Sequence, residues 1–96
     1  MKFIRKTEEY DTWLKGLADA LVRARIQARV RRLAMGNPGD VAPVGEGVSE
    51  LRLHFGAGWR VYFTEVDAQI TVLLAGGSKG TQKRDIATAL ELARNL

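Results

Sequence analysis

Two short segments hold the side chains best suited to acting on a phosphate. Leu51-Arg52-Leu53-His54-Phe55 and Trp59-Arg60-Val61-Tyr62-Phe63 each alternate apolar and polar residues. Alternation with period two is the mark of a half-covered strand. Gly56-Ala57-Gly58 between them predicts a hairpin with a three-residue loop, in which Gly58 supplies a positive φ. Phe55 then pairs with Trp59, His54 with Arg60, Leu53 with Val61, Arg52 with Tyr62 and Leu51 with Phe63. An odd loop is required, because an even one would set one strand's apolar residues against the other's polar ones. Leu51, Leu53, Phe55, Trp59, Val61 and Phe63 share the core face. Arg52, His54, Arg60 and Tyr62 share the other.

That second face gathers two guanidiniums, a phenol and the one imidazole of the chain. A solvated sheet face would also carry polar residues, so the pattern alone does not prove a site. In this register Glu50 relieves only the Arg52 end, and an anion would relieve the rest. Phosphate suits guanidinium forks, which hold its oxygens in bidentate fashion.

A second cationic group lies in Gly76-Gly77-Ser78-Lys79-Gly80-Thr81-Gln82-Lys83-Arg84-Asp85. Thr81 reads as the N-cap of a last helix. Lys83 and Arg84 then fall in its first turn, where cations oppose the helix dipole and Asp85 offsets part of the cost. Such a helix start suits phosphate, with the glycines letting a ligand approach the backbone; the alternative is a mobile connection carrying solvated lysines. The Walker spacing is absent, since Thr81 follows Gly80.

Positioning these groups requires a small mixed domain. The 96 residues suffice for one domain spanning 1–96, and 46% of them are hydrophobic, which indicates a globular chain. Residues 2–5 predict a first strand. Thr7 caps a helix carrying Tyr10, Trp13, Leu14 and Leu17. A second helix runs from Asp19 to Met35 with the stripe Val22, Ile26, Val30 and Leu33, and ends at Gly36-Asn37-Pro38-Gly39-Asp40. The stretch to Gly47 reads as a surface loop. The hairpin strands, a central strand over 70–75 and a helix over 81–94 complete the order β-α-α-β-β-β-α. This is an α+β fold: two layers, with a mainly antiparallel four-stranded sheet packed against helices.

Composition narrows the function. The net charge of +4 points to an anionic partner. Without cysteine there is no disulfide, thiolate metal site or cysteine nucleophile. One histidine and scattered acids make no metal cluster, so no metal or other cofactor is expected. No stretch approaches the roughly 20 apolar residues of a spanning helix, and the N-terminus does not read as a signal peptide, so a cytoplasmic location is expected. Arg25, Arg29 and Arg32 share one flank of the second helix, either as a solvated surface or as a contact for RNA or an acidic partner.

Glu50 through Phe63, followed by Leu73 through Ile86, resembles the RelE/ParE superfamily of toxins from type II toxin–antitoxin modules. It is closest to the addiction module killer proteins, the HigB-like branch. Gly36 to Asp40, with Gly45-Glu46-Gly47, resembles that branch's loop. The resemblance spans essentially the whole chain. It implies a neighbouring antitoxin, usually a helix-turn-helix protein, and a target of one of two kinds. RelE-like members cut mRNA in the ribosomal A site without metal; ParE-like members poison DNA gyrase.

Carried onto this sequence, the resemblance implies that Arg60, Arg52 and His54 are the catalytic residues of an mRNA interferase. His54 would be general base or acid, and the arginines would stabilise the phosphorane formed when a ribose 2′-OH attacks its phosphate. Lys79, Lys83, Arg84 and Tyr62 would bind RNA. RelE has a tyrosine near its C-terminus, whereas the tyrosines here are Tyr10 and Tyr62. A gyrase inhibitor without nuclease chemistry, or a non-catalytic domain that binds RNA or antitoxin, are the alternatives.

Overall fold

The computed structural model describes residues 1–96. Strand β1 (Phe3–Lys6) leads into helices α1 (Glu8–Gly16) and α2 (Ala20–Ala34). Strands β2 (Val41–Gly45), β3 (Val48–Arg52), β4 (Trp59–Glu65) and β5 (Ile70–Ser78) follow. A 3₁₀ turn, Lys79–Thr81, then opens helix α3 (Gln82–Arg94). The sheet has five strands in the order β1-β5-β4-β3-β2. Only the β1–β5 pair is parallel.

The helix starts follow from their caps. The Thr7 hydroxyl accepts the Tyr10 amide at 3.0 Å. Asp19 Oδ1 accepts the Leu21 amide at 2.9 Å. Ile26 and Leu33 of the α2 stripe are buried, with Val22 and Val30 packed beside them.

The fifth strand, β2, occupies the stretch expected to be a loop. It lies at the sheet edge, where Pro43 is tolerated because no further strand needs its missing N–H. The layer count also changes. Tyr10, Leu14, Ile26 and Leu33 pack with Leu51, Leu53, Val61, Phe63 and Leu73 on one face. On the other face Val48, Tyr62, Val72, Leu74 and Ala75 pack with Ala89 of α3. The sheet is therefore sandwiched between helices in three layers, not two. The hairpin face carrying Arg60 and Tyr62 is the face that α3 covers.

The register of that hairpin differs by two residues from expectation. Arg52 pairs with Arg60, Leu51 with Val61 and Glu50 with Tyr62. The Leu53 amide donates to the Trp59 carbonyl at 2.9 Å, which leaves residues 54–58 as the loop. The loop is odd, as the alternation requires, so every predicted core residue of the hairpin keeps its face. Gly58 takes a φ of 71°, the left-handed value that favours glycine.

Candidate nucleic-acid interface and active site

The shifted register puts Arg52 opposite Arg60, an arrangement that like charges resist. Glu50 resolves it. Its Oε1 lies 2.7 Å from Arg60 Nε and 3.7 Å from Arg52 Nε. The same oxygen accepts Gln82 Nε2 of α3 at 2.7 Å. The Arg60 contact is an ion pair rather than an aimed hydrogen bond, because the Nε hydrogen is not directed at the carboxylate. Arg60 Nη1 donates to the Gly58 and Trp59 carbonyls, each at 3.1 Å. The expectation that Arg60 lacks an acidic partner is thus corrected: the two-residue offset brings Glu50 to it.

Burial separates the two arginines. The Arg60 side chain is 8% exposed and that of Glu50 1%. Arg52 keeps 37% of its side-chain surface in solvent. Tyr62, expected on an open face against RNA, is wholly buried beneath α3. Its phenol is pushed well above the usual range by burial first, then by the nearby Glu50 and Asp85 carboxylates. Of these two side chains, solvent reaches Arg52 and not Tyr62.

His54 lies beyond the end of β3, with two-thirds of its side chain exposed. Its Nε2 is 2.5 Å from Asp40 Oδ2. The Asp40 carboxyl sits below the usual carboxylate range, chiefly through this bond, with the Arg52, His54 and Arg29 charges adding to it. The Asp40 carbonyl also accepts the Arg52 amide at 3.0 Å. Arg29 fixes this corner: Nε and Nη2 donate to the Pro38 carbonyl at 3.2 and 2.8 Å, and Nη1 to the Arg52 carbonyl at 2.9 Å. Arg52 therefore stands between two carboxylates, Asp40 beside His54 and Glu50 beside Arg60.

At the start of α3, Lys79, Lys83 and Arg84 are exposed. Gly80, Thr81, Lys83 and Arg84 line a shallow depression. Thr81 holds the N-cap position, yet its hydroxyl does not cap the helix backbone. It donates to Asp85 Oδ2 and accepts the Ser78 amide at 3.2 Å. The Lys79 amide donates to the Ala57 carbonyl at 3.3 Å, joining this turn to the hairpin loop.

Gly76 and Gly77 are not a phosphate-cradling loop. They lie within β5, where a Cβ on Gly76 would overlap the Trp13 indole and one on Gly77 the Asp85 carboxylate. Their role is to admit those two side chains.

The half-buried Arg52 and the exposed Lys79, Lys83 and Arg84 thus border a surface underlain by the Glu50–Arg60–Gln82 cluster, with the His54–Asp40 pair at its β3 end. Sequence reasoning missed Asp40 and Gln82 and understated Glu50. Only the proximity of Glu50 to Arg52 along the strand hinted at its part. No group of three or more His, Asp or Glu side chains is placed to hold a metal ion.

No protein-family model matches the chain. The structure superimposes on a double arginine-to-alanine mutant of the E. coli toxin RelE in the free state, with a TM-score of 0.71, 15% identity and coverage of 94% of this chain and 95% of that one. The intact E. coli RelBE toxin–antitoxin complex aligns with a TM-score of 0.67 and 12% identity, over 81% of this chain and 96% of that one. The chain has the RelE fold. A Haemophilus influenzae protein, described as an uncharacterized protein, is 42% identical over 93 residues, covering 97% of this chain and 94% of its own length. This RelE-fold chain and that protein belong to one family. No helix of the RelE-fold chain is long and apolar enough to cross a membrane.

Proposed function

We propose that this chain is the cytoplasmic toxin of a type II toxin–antitoxin module, a metal-independent endonuclease that cuts mRNA on the ribosome and is silenced by an antitoxin encoded beside it. The observation that carries the reading is the cationic border, solvent-reachable Arg52 with exposed Lys79, Lys83 and Arg84, next to an imidazole already held by a carboxylate. The RelE fold and the existence of a RelBE complex support the toxin and antitoxin parts.

In this mechanism His54 gives its Nε2 hydrogen to Asp40 and presents Nδ1 as the general base. It takes the proton of a ribose 2′-OH as that oxygen attacks the adjacent phosphorus. The bond to the 5′ oxygen breaks, leaving a 2′,3′-cyclic phosphate, and the departing oxygen takes a proton from water. Arg52 faces the charge that grows on the phosphorane. Lys79, Lys83 and Arg84 hold flanking phosphates. Arg60 is too buried to meet the RNA; with Glu50 it positions Arg52 from beneath.

The test is induction in cells of the wild type, His54→Ala, Arg52→Ala and Arg60→Ala, with growth followed and mRNA ends mapped. Growth arrest with cuts at codons, lost in His54→Ala and Arg52→Ala, is the expected result. Toxicity that survives these changes while mRNA stays whole rejects the nuclease reading. A DNA-damage response with intact mRNA would assign gyrase instead, and harmless expression a binding-only domain.

A further inference from the structure

His54 also forms the wall of a second feature. Arg25, Arg29 and Arg32 of α2 face His54 and Phe55 across an open pocket of about 320 Å³. The pocket is ordered in advance. Arg29 is tied to two backbone carbonyls by three hydrogen bonds. The Arg25 guanidinium lies over the Phe55 ring, 3.7 Å from its centroid. Neither Arg25 nor Arg32 forms an ion pair with any acid of the chain. Asp40, which lies close to Arg29 and Arg52, is already bonded to His54. The cations thus outnumber the acids, and burial together with the neighbouring Arg32 lowers the Arg29 pKa.

We infer that this α2 pocket is a second RNA-binding site, in which Arg25 and Arg32 take backbone phosphates of the strand that continues past His54. The inference rests on the reading of His54 as an RNA-facing residue. A phosphodiester strand is favoured over an acidic peptide because His54 is shared: a strand lying on His54 runs into the arginines without leaving the surface. Guanidinium forks match phosphate oxygens.

The experiment uses the purified full chain and a fluorescein-labelled, fully 2′-O-methylated RNA oligonucleotide, which can bind but has no free 2′-OH to attack. Affinity is measured across a salt series. Each single-strand phosphate contact contributes about 0.7 to the slope of log K against log salt. Arg25→Ala/Arg32→Ala is expected to lower that slope by about 1.4, and Arg25→Lys/Arg32→Lys to restore most of it. Arg5→Ala/Arg31→Ala removes the same charge from exposed positions outside the pocket and should leave the slope nearly unchanged. An equal fall in both alanine pairs, or none in the first, overturns the site. Unchanged RNA affinity together with weakened antitoxin binding overturns it in favour of a protein interface. This binding readout does not depend on cleavage: intact mRNA in the induction experiment, with the slope change present, sinks the nuclease reading and leaves the RNA contact standing.

Discussion

Glu50 and Arg60 meet 2.7 Å apart beneath α3, and the carboxylate oxygen that faces Arg60 is the one that Gln82 reaches from the helix. The pair welds β3, β4 and the first turn of α3 into one unit. Removing one partner of a buried ion pair strands the other charge, at a cost of about 3–5 kcal/mol. Glu50→Ala is therefore expected to lose stability on that scale in denaturant unfolding. Replacing both partners by methionine should lose much less, because no charge is then left alone. A Glu50→Ala protein with the wild-type midpoint would show that the pair holds nothing together.

Gly76 and Gly80 lie in one glycine-rich run but make opposite predictions. Alanine at Gly76 must displace the Trp13 indole, and overpacking of this kind costs about 1–3 kcal/mol. At Gly80 the nearest atom to an added Cβ is Ser78 Oγ at 3.7 Å, an ordinary contact. Thermal melts should show a clear loss for Gly76→Ala and almost none for Gly80→Ala.

Asp40 should titrate below the ordinary aspartate value of 3.8. A depressed carboxyl pKa favours the folded state above the unfolded pKa, and that contribution is lost as pH falls through the lower folded value. Carbon-detected NMR of the Asp40 carboxyl should find this acid-side titration. In His54→Ala it should return toward 3.8.

Tyr10 is pushed up to about 12 by burial, with the Asp11 charge adding to it, and Tyr62 lies higher still. A raised phenol pKa means that the stability these groups contribute is complete below pH 10, the unfolded value, and declines as pH rises from there through the folded value. Ultraviolet titration should show almost no phenolate near pH 10 in the folded protein. Denaturation by guanidinium should release both tyrosines to titrate there.

Much of this molecule is legible in its residues. The caps Thr7 and Asp19, the stripe on α2 and the core face of the hairpin follow from side-chain type and spacing. Parity explains the success and the limit at the hairpin. Alternation decides which face each residue takes, yet an offset of two preserves every face, so Arg60 could acquire Glu50 unseen. The polarity of Arg60 and Tyr62 suggested open water because nothing local announces that α3 lies on them. Gly76 and Gly77 read as a ligand cradle because the residues they admit, Trp13 and Asp85, come from other elements. Pro43, Gly45 and Gly47 disguised β2, since an edge strand needs only one row of its backbone groups. At the site, the cations were visible as a class. The carboxylates that sort them into buried and exposed were not.

The parallel pairing of β1 with β5 has a kinetic side. Thr7 reaches the Leu74 carbonyl across 67 positions of chain. Contacts so distant in sequence are slow to form. The first strand to be synthesised stays unpaired until β5 is made, and the Glu50–Arg60 cluster stays open until Gln82 follows. On the function proposed here, a half-finished polypeptide carries the arginines but no assembled cutting surface. On that reading, the ribosome that makes this protein meets a complete site only after Gln82 has been added.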